Sequence, residues 1–308
     1  MSSDQSLHSA PYFGDYRDFW WNRDFLELMA RRWKLEDVYN VLDVGCGLGH
    51  WGRCLREVLP QAASILGIDR EKAWIDKCSE RMIAEDPDWK NASRFGYQVG
   101  DANALQFDDD TFDLVTCQTL LIHVQDPVHV LKEMLRVTKP GGLVIAAEPN
   151  NRAGVMMFSS LDADPSIDDT LRHARFHLTC ERGKRLLGLG DTSLGDLVPG
   201  LFAEAGASNI NVYLSDKTSA VFPPYEGTEQ QTLIAHARDM STTEVWMWPR
   251  EESERYFVAG GGSPDDFSET WDFIVRNDGG FDKGVANATY HTAGGAVMYL
   301  VSGRKSIV

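Results

Sequence analysis

An α/β fold with a doubly wound, mostly parallel seven-stranded sheet is predicted by three features of the sequence. Short apolar runs alternate with amphipathic helical stretches from about 38 to 147. Regular alternation of strand and helix builds βαβ units, and so a parallel sheet with helices on both faces. A glycine-rich turn, from Gly45 to Gly52, opens the first of these units. Two further apolar runs, at 209–215 and 294–303, supply a sixth strand and a closing one.

Residues 1–37 precede the first strand, and 12–33 are dense in aromatics: Tyr12, Phe13, Tyr16, Phe19, Trp20, Trp21, Phe25 and Trp33. Trp21, Phe25, Leu28 and Met29 recur at helical spacing, which predicts a helix packed across the sheet and able to serve as an N-terminal lid. The core is expected over 38–218. Its strands are VYNVLDV (38–44), ASILGID (63–69), ASRFGYQV (92–99), FDLVTC (112–117), GGLVIAA (141–147) and NINVYLS (209–215), with added helices at 151–188. Between the last two strands, 219–292 carries PP, GGGSP and NDGG punctuation around helical pieces. Structureless loops of that length are uncommon, so it reads as a helical insertion or cap, with 293–308 returning to the core as its closing strand.

The chain has 308 residues, 43% of them hydrophobic and 25% charged, which suits one large domain with an insertion. Thirty Lys and Arg against 46 Asp and Glu leave a formal charge of −16, so a polyanion is repelled at long range and nucleic acid is not an expected partner. No run approaches the roughly 18 apolar residues of a membrane helix, and no membrane partner is expected. The N-terminal segment lacks the layout of a secretory signal. Cys46, Cys54, Cys78, Cys117 and Cys180 are odd in number and form no C-x-x-C, which fits reduced thiols in a cytoplasmic protein and no metal site.

The glycines permit a tight turn and close backbone approach to a ligand at a helix start. Gly47, Gly49 and Gly52 match G-x-G-x-x-G, the dinucleotide fingerprint, and Asp69 some twenty residues on serves a ribose in either reading. Other residues separate the two. The turn opens D-V-G-C-G-L-G from Asp43. A third strand ends Val99-Gly100-Asp101-Ala102. FDLVTCQTLLIHVQDP occupies 112–127, and LRVTKPGG (135–142) leads into the fifth strand. In that order and spacing these segments resemble the class I S-adenosylmethionine-dependent methyltransferases, whose fold is Rossmann-like. The 112–150 region is most similar to the broad group acting on ubiquinone and menaquinone precursors and other metabolites.

The resemblance implies S-adenosyl-L-methionine as cofactor and S-adenosyl-L-homocysteine as product. Gly45, Gly47 and Gly49, with Cys46 between them, would line the methionine part, and Asp43 would contact the cofactor or orient that loop. Asp69 would accept from both ribose hydroxyls, with Arg70 beside it. Asp101 would take the adenine amino group with Ala102 near the ring, and Cys117 and Gln118 would meet the methionyl amine. In the loop after the fourth strand, where open α/β sheets place their sites, His123 is the candidate general base, or else lines the pocket or holds the loop. Glu148, at the end of the fifth strand, is expected to face the same crevice, binding an acceptor or capping the following helix. Tyr16, Trp20 and Trp21, with Trp246 and Trp248 of the insertion, could wall an aromatic acceptor chamber or form ordinary core. His173, His177 and Glu181 fall on one helix face, and Arg172, Arg175, Arg182, Lys184 and Arg185 form a local basic block able to attract an anionic acceptor or to serve as a solvated or partner-facing surface. The expected acceptor is a small molecule. Protein methylation with the insertion as docking surface, and cofactor binding without catalysis, are the alternatives.

Overall fold

The computed structural model describes residues 14–85, 95–162, 164–242, 247–275 and 280–307. Its seven-stranded sheet comprises β1 (Asn40–Val44), β2 (Ser64–Asp69), β3 (Phe95–Val99), β4 (Phe112–Gln118), β5 (Thr138–Asn150), β6 (Ser208–Leu214) and β7 (Val297–Arg304), in the order β3-β2-β1-β4-β5-β7-β6. β1 pairs in parallel with β2 and β4, β2 with β3, and β4 with β5, while β6 and β7 are antiparallel. The sheet is therefore mixed, its antiparallel pair lying at one edge.

The chain divides into two compact units. One comprises 21–149, 193–216 and 298–308 and contains the sheet. Its central strands are apolar without alternation because both faces are covered: β1 is buried from Val41 through Val44, and β4 holds Leu114, Val115 and Cys117 at full burial. Leu42, Val44, Val115, Val144 and Ala146 pack with Leu131 and Met134 of α4 (Pro127–Val137). That helix starts at Asp126, whose carboxylate accepts the His129 N–H, with Pro127 at the first helical position. The aromatic N-terminal stretch is not one helix: a 3₁₀ turn at Asp15–Phe19 gives way to α1 (Arg23–Trp33), and the boundary between the units falls between Trp20 and Trp21. Phe25, Leu26, Met29 and Trp33 are the buried face of α1.

The other unit, 1–20, 150–192 and 217–297, groups the helices after β5 with the insertion. In chain order after α4 come α5 (Asn151–Gly154), α6 (Ile167–Leu186) and then α7 (Val198–Glu204), which belongs to the sheet unit; α8 (Thr228–Thr242), α9 (Arg250–Ala259), α10 (Pro264–Ile274) and α11 (Gly280–Ala286) follow β6. Phe176 and Cys180 of α6 meet Trp248, Phe257, Phe267 and Trp271 in a core of this unit. α6 and α9 cross at glycines: a Cβ on Gly183 would lie 1.7 Å from the Tyr256 carbonyl oxygen, and one on Gly260 would lie 1.9 Å from that of Thr179. Trp248 is thus core of the helical unit. Among the described residues no helix is long and apolar enough to cross a membrane.

Candidate cofactor site

The C-terminal ends of β1, β2 and β3 carry the glycine turn and two carboxylates. Gly45, Gly47 and Gly49 have φ of 69°, 52° and 72°, left-handed values that glycine alone adopts without a Cβ penalty. A Cβ on Gly45 would come within 2.7 Å of the Leu120 side chain, and one on Gly49 within 2.6 Å of the Tyr97 hydroxyl. Asp69, closing β2, holds the turn: its Oδ2 accepts the Gly47 N–H at 3.0 Å and its Oδ1 the Glu71 N–H at 2.9 Å. Each carboxylate oxygen can accept twice, so both retain capacity for a ribose hydroxyl.

Asp101 follows β3, which is paired in register with β2 as far as Asp69 and Val99. Its Oδ1 accepts the backbone and side-chain N–H groups of Asn103, each at 2.9 Å, and these bonds hold the carboxyl below its ordinary range. The rest of this exposed carboxylate is open to an amino donor. His129 of α4 ties the turn down through Nε2, 2.8 Å from the Asn103 carbonyl; since that oxygen only accepts, Nε2 carries the proton. Bare glycine backbone, a diol acceptor and an amine acceptor on neighbouring strand ends fit S-adenosylmethionine.

Three of the expected residues have buried side chains. Asp43 is 1% exposed and accepts the Gly52 N–H, and burial pushes its carboxyl up to about 8. It anchors the start of α2 (His50–Arg56) to β1 and turns no carboxylate face to solvent. Cys117 is fully buried with its thiol 3.8 Å from Glu148 Oε1, so only its backbone remains for a ligand; Gln118 beside it is 9% exposed. Glu148 is also fully buried, and its Oε1 accepts the N–H groups of Leu120 and Leu121 at 2.9 and 2.8 Å. It organises the loop after β4, which replaces both expectations for it, acceptor contact and helix cap.

Cys46 is buried, and the Cys78 thiol donates to the Gly47 carbonyl at 3.0 Å beneath the turn. Arg70 is exposed and lies 3.4 Å from Glu71, and Ala102 packs partly buried against the sheet core. His123 is half-buried at the end of a 3₁₀ turn, Leu121–His123. Trp21 is buried against Trp51 at 5.0 Å, in the sheet unit. Within the helical unit, Tyr16 is buried and stacked on His236 at 3.9 Å, and half-buried Trp20 lies under the Arg17 guanidinium. His173 is half-buried on α6, while His177 Nε2 lies 3.2 Å from Glu181 Oε1; the described residues contain no cluster able to hold a metal. Tyr12, Phe13 and Trp246 lie outside the described residues.

Three of the five cations of the basic block on α6 are compensated or buried, while Arg175 and Arg182 are exposed. Arg172 pairs with Glu269, Arg185 with Asp191, and Lys184 is buried, its ammonium pushed down to about 8 by desolvation against the pull of Glu181, Asp191 and Glu252.

Sequence reasoning missed two features. Arg53 braces the glycine turn, donating to the Leu48 carbonyl and to His50 Nδ1, each at 2.9 Å; the i, i+3 spacing of His50 and Arg53 was the available signal. Thr119, just past β4, sits at φ 52°, a costly conformation for a β-branched residue, and no sequence pattern announces it.

A family model described as a methyltransferase domain matches residues 35–197. Over 109 residues the chain is 36% identical to an uncharacterized methyltransferase of Schizosaccharomyces pombe, spanning 35% of this chain and 39% of that protein. Over 128 residues it is 33% identical to demethylmenaquinone methyltransferase of Shouchella clausii, spanning 42% and 51%. The chain thus spans about half or less of the length of these curated relatives. A solved structure from Galdieria sulphuraria, provisionally named a sarcosine dimethylglycine methyltransferase, shares the fold with TM-score 0.50 at 16% identity, covering 92% of this chain and 85% of that one. With more than half of its length matched, and with the glycine turn and acidic strand ends in place, the chain belongs to the class I S-adenosylmethionine-dependent methyltransferases.

Proposed function

We propose that this protein binds S-adenosyl-L-methionine through its glycine turn, Asp69 and Asp101, and passes the methyl group to a small-molecule acceptor. The observation that carries this reading is Asp69: one carboxylate fixes Gly47 of the turn and keeps an accepting position on each oxygen for the two ribose hydroxyls. Asp101, held ionised by Asn103, accepts from the adenine amino group. When bound, the cofactor supplies an electrophilic methyl on a sulfonium.

The remaining work falls to the chain. The backbone at Cys117 and Gln118 orients the methionyl end, and alignment of acceptor and methyl supplies on the order of 7–11 kcal/mol of barrier reduction. His123 takes the acceptor proton where the acceptor has one to lose. A small acceptor is favoured by the relatives named for demethylmenaquinone.

Calorimetric titration with S-adenosylhomocysteine, with NADH alongside, tests the cofactor. Micromolar affinity for the first and none for the second is expected. Binding of NADH alone would assign the turn to a dinucleotide and remove the methyl-transfer reading.

A further inference from the structure

Glu148 is a carboxylate with no solvent exposure, and one of its oxygens is committed to the backbone of a loop. Oε1 takes the N–H groups of Leu120 and Leu121, and the Ile122 N–H also donates to the carboxylate. Oε2 is buried and has no hydrogen-bond partner among the described residues. A buried anion is costly even with donors on one side, so a carboxyl retained here calls for a reason beyond packing.

The loop it holds touches the cofactor turn. The Leu120 side chain lies where a Cβ on Gly45 would be, at 2.7 Å. A continuous path therefore runs from Glu148 through the Leu120 N–H and the Leu120 side chain to Gly45, all within the sheet unit. The same three amides enter the 3₁₀ turn that ends at His123. Thr119, at the hinge between β4 and this turn, is held in the left-handed region, so the loop stays where it is only while its anchor is strong.

We propose that Glu148 is a positioning residue whose ionised carboxylate draws Leu120–Ile122 onto the glycine turn and thereby sets the protein's affinity for its cofactor. This rests on the methyltransferase reading above. Ionised, the carboxylate makes charge-assisted bonds to the loop; protonated, it offers a weaker neutral acceptor, and Leu120 is released from Gly45. Burial places this titration near neutrality, at about 7, so it falls where a cell's pH lies. The ionisable groups near it are the Cys117 thiol on β4, itself driven up by burial, Asp43 on β1 beyond that thiol, and His123 at the end of the loop. Asp196 is the ionisable side chain of the 193–197 segment whose Gly195 packs on the Glu148 backbone, and it is exposed; Tyr299 of β7 lies against the same glycine.

The test combines amide NMR with calorimetry on the full chain, wild type and Glu148→Gln, from pH 5.5 to 8.5. In the wild type the Leu120, Leu121 and Ile122 amides should share one titration. S-adenosylhomocysteine affinity should rise across it by about fivefold or more, within the usual span of coupling between sites. In Glu148→Gln both changes should vanish, while the Gly52 amide, which reports Asp43, still titrates and shows that the variant is folded. Equal affinity profiles in the two proteins, with the amide titration lost only in the variant, would overturn the proposal and leave Glu148 as architecture. Absence of S-adenosylhomocysteine binding by either protein at every pH would overturn it together with the cofactor reading. An affinity loss in Glu148→Gln that is uniform in pH would also overturn it.

Discussion

Replacing Glu148 by glutamine keeps the side-chain shape and removes one ionisation, so its effect on folding can be worked out from the burial of that group. The carboxyl has an ordinary value of 4.5 and is raised to about 7 in the folded chain by desolvation, against the pull of the Leu121, Leu120 and Ile122 amides. A raised value means that the folded state binds the proton more tightly than the unfolded state. The stabilisation is thus complete below about 4.5, is lost as pH rises through about 7, and stays lost above it. At about 1.4 kcal/mol per pH unit, the interval corresponds to about 3 kcal/mol, most of which falls between pH 5 and pH 8.5.

Absolute stabilities would mislead, because the glutamine NH₂ occupies a site with a buried orphan atom and carries its own cost. The change with pH is cleaner. Asp43 is also raised, to about 8, and contributes a slope of the same sign, but it does so in both proteins and cancels in the comparison. Urea unfolding followed by tryptophan fluorescence at pH 5 and 8.5 gives the four stabilities. The wild type should lose about 2–3 kcal/mol more than the variant over that span. Losses equal within about 0.5 kcal/mol would refute both the elevated carboxyl and the cost ascribed to holding it ionised.

Other expectations follow from the same contacts. Asp69→Ala should weaken S-adenosylhomocysteine binding by about 2–4 kcal/mol in calorimetry, because it deletes the ribose acceptor and leaves the Gly47 and Glu71 amides unmet; unchanged affinity would end the assignment of β2. His123→Ala should lower turnover by about 10²–10⁴-fold with cofactor affinity retained, once an acceptor is found; an equal fall in both would mark it as structural. Gly183→Ala should cost about 1–3 kcal/mol or more, since its methyl would overlap the Tyr256 carbonyl at the α6–α9 crossing, and thermal unfolding read by tryptophan emission would register no shift if the helices crossed elsewhere. Lys34→Gly should stabilise by about 0.5–1 kcal/mol in the same melts, because Lys34 ends α1 at φ 59°.

The sheet was legible because its strands obey one rule at a time. β1 and β4 are buried on both faces along most of their length and read as mostly apolar runs, and β1 runs into a glycine and β2 ends at an acid. The closing pair was legible as strands but not in direction, since apolar runs carry no sign of whether a neighbour runs parallel; the antiparallel β6–β7 edge therefore came from pairing alone. Position at a strand end also leaves the Asp69 and Asp101 carboxylates in reach of their neighbours' N–H groups with accepting capacity to spare.

Position at the end of a strand does not tell which way the side chains of Asp43, Cys117 and Glu148 turn. All three belong to the ends of adjacent strands in the middle of the sheet, and all three turn inward. An acid in such a place reads as a ligand contact from sequence, yet in three dimensions the nearest donors are backbone amides: Gly52 for Asp43, Leu120 and Leu121 for Glu148. The same amides belong to the elements that must be held still for a cofactor to bind, the start of α2 and the loop after β4. Buried carboxylates at these two points therefore do what a capping residue does at a helix start, but at greater cost in folding free energy, because the charge lies beyond the reach of water. A neutral Asn or Gln oxygen could accept the same N–H groups, so accepting them does not by itself require an acid. What the acids add is ionisation: near neutrality it makes the strength of the anchor a variable, and at Glu148 the variable is connected, through Leu120, to the backbone at Gly45.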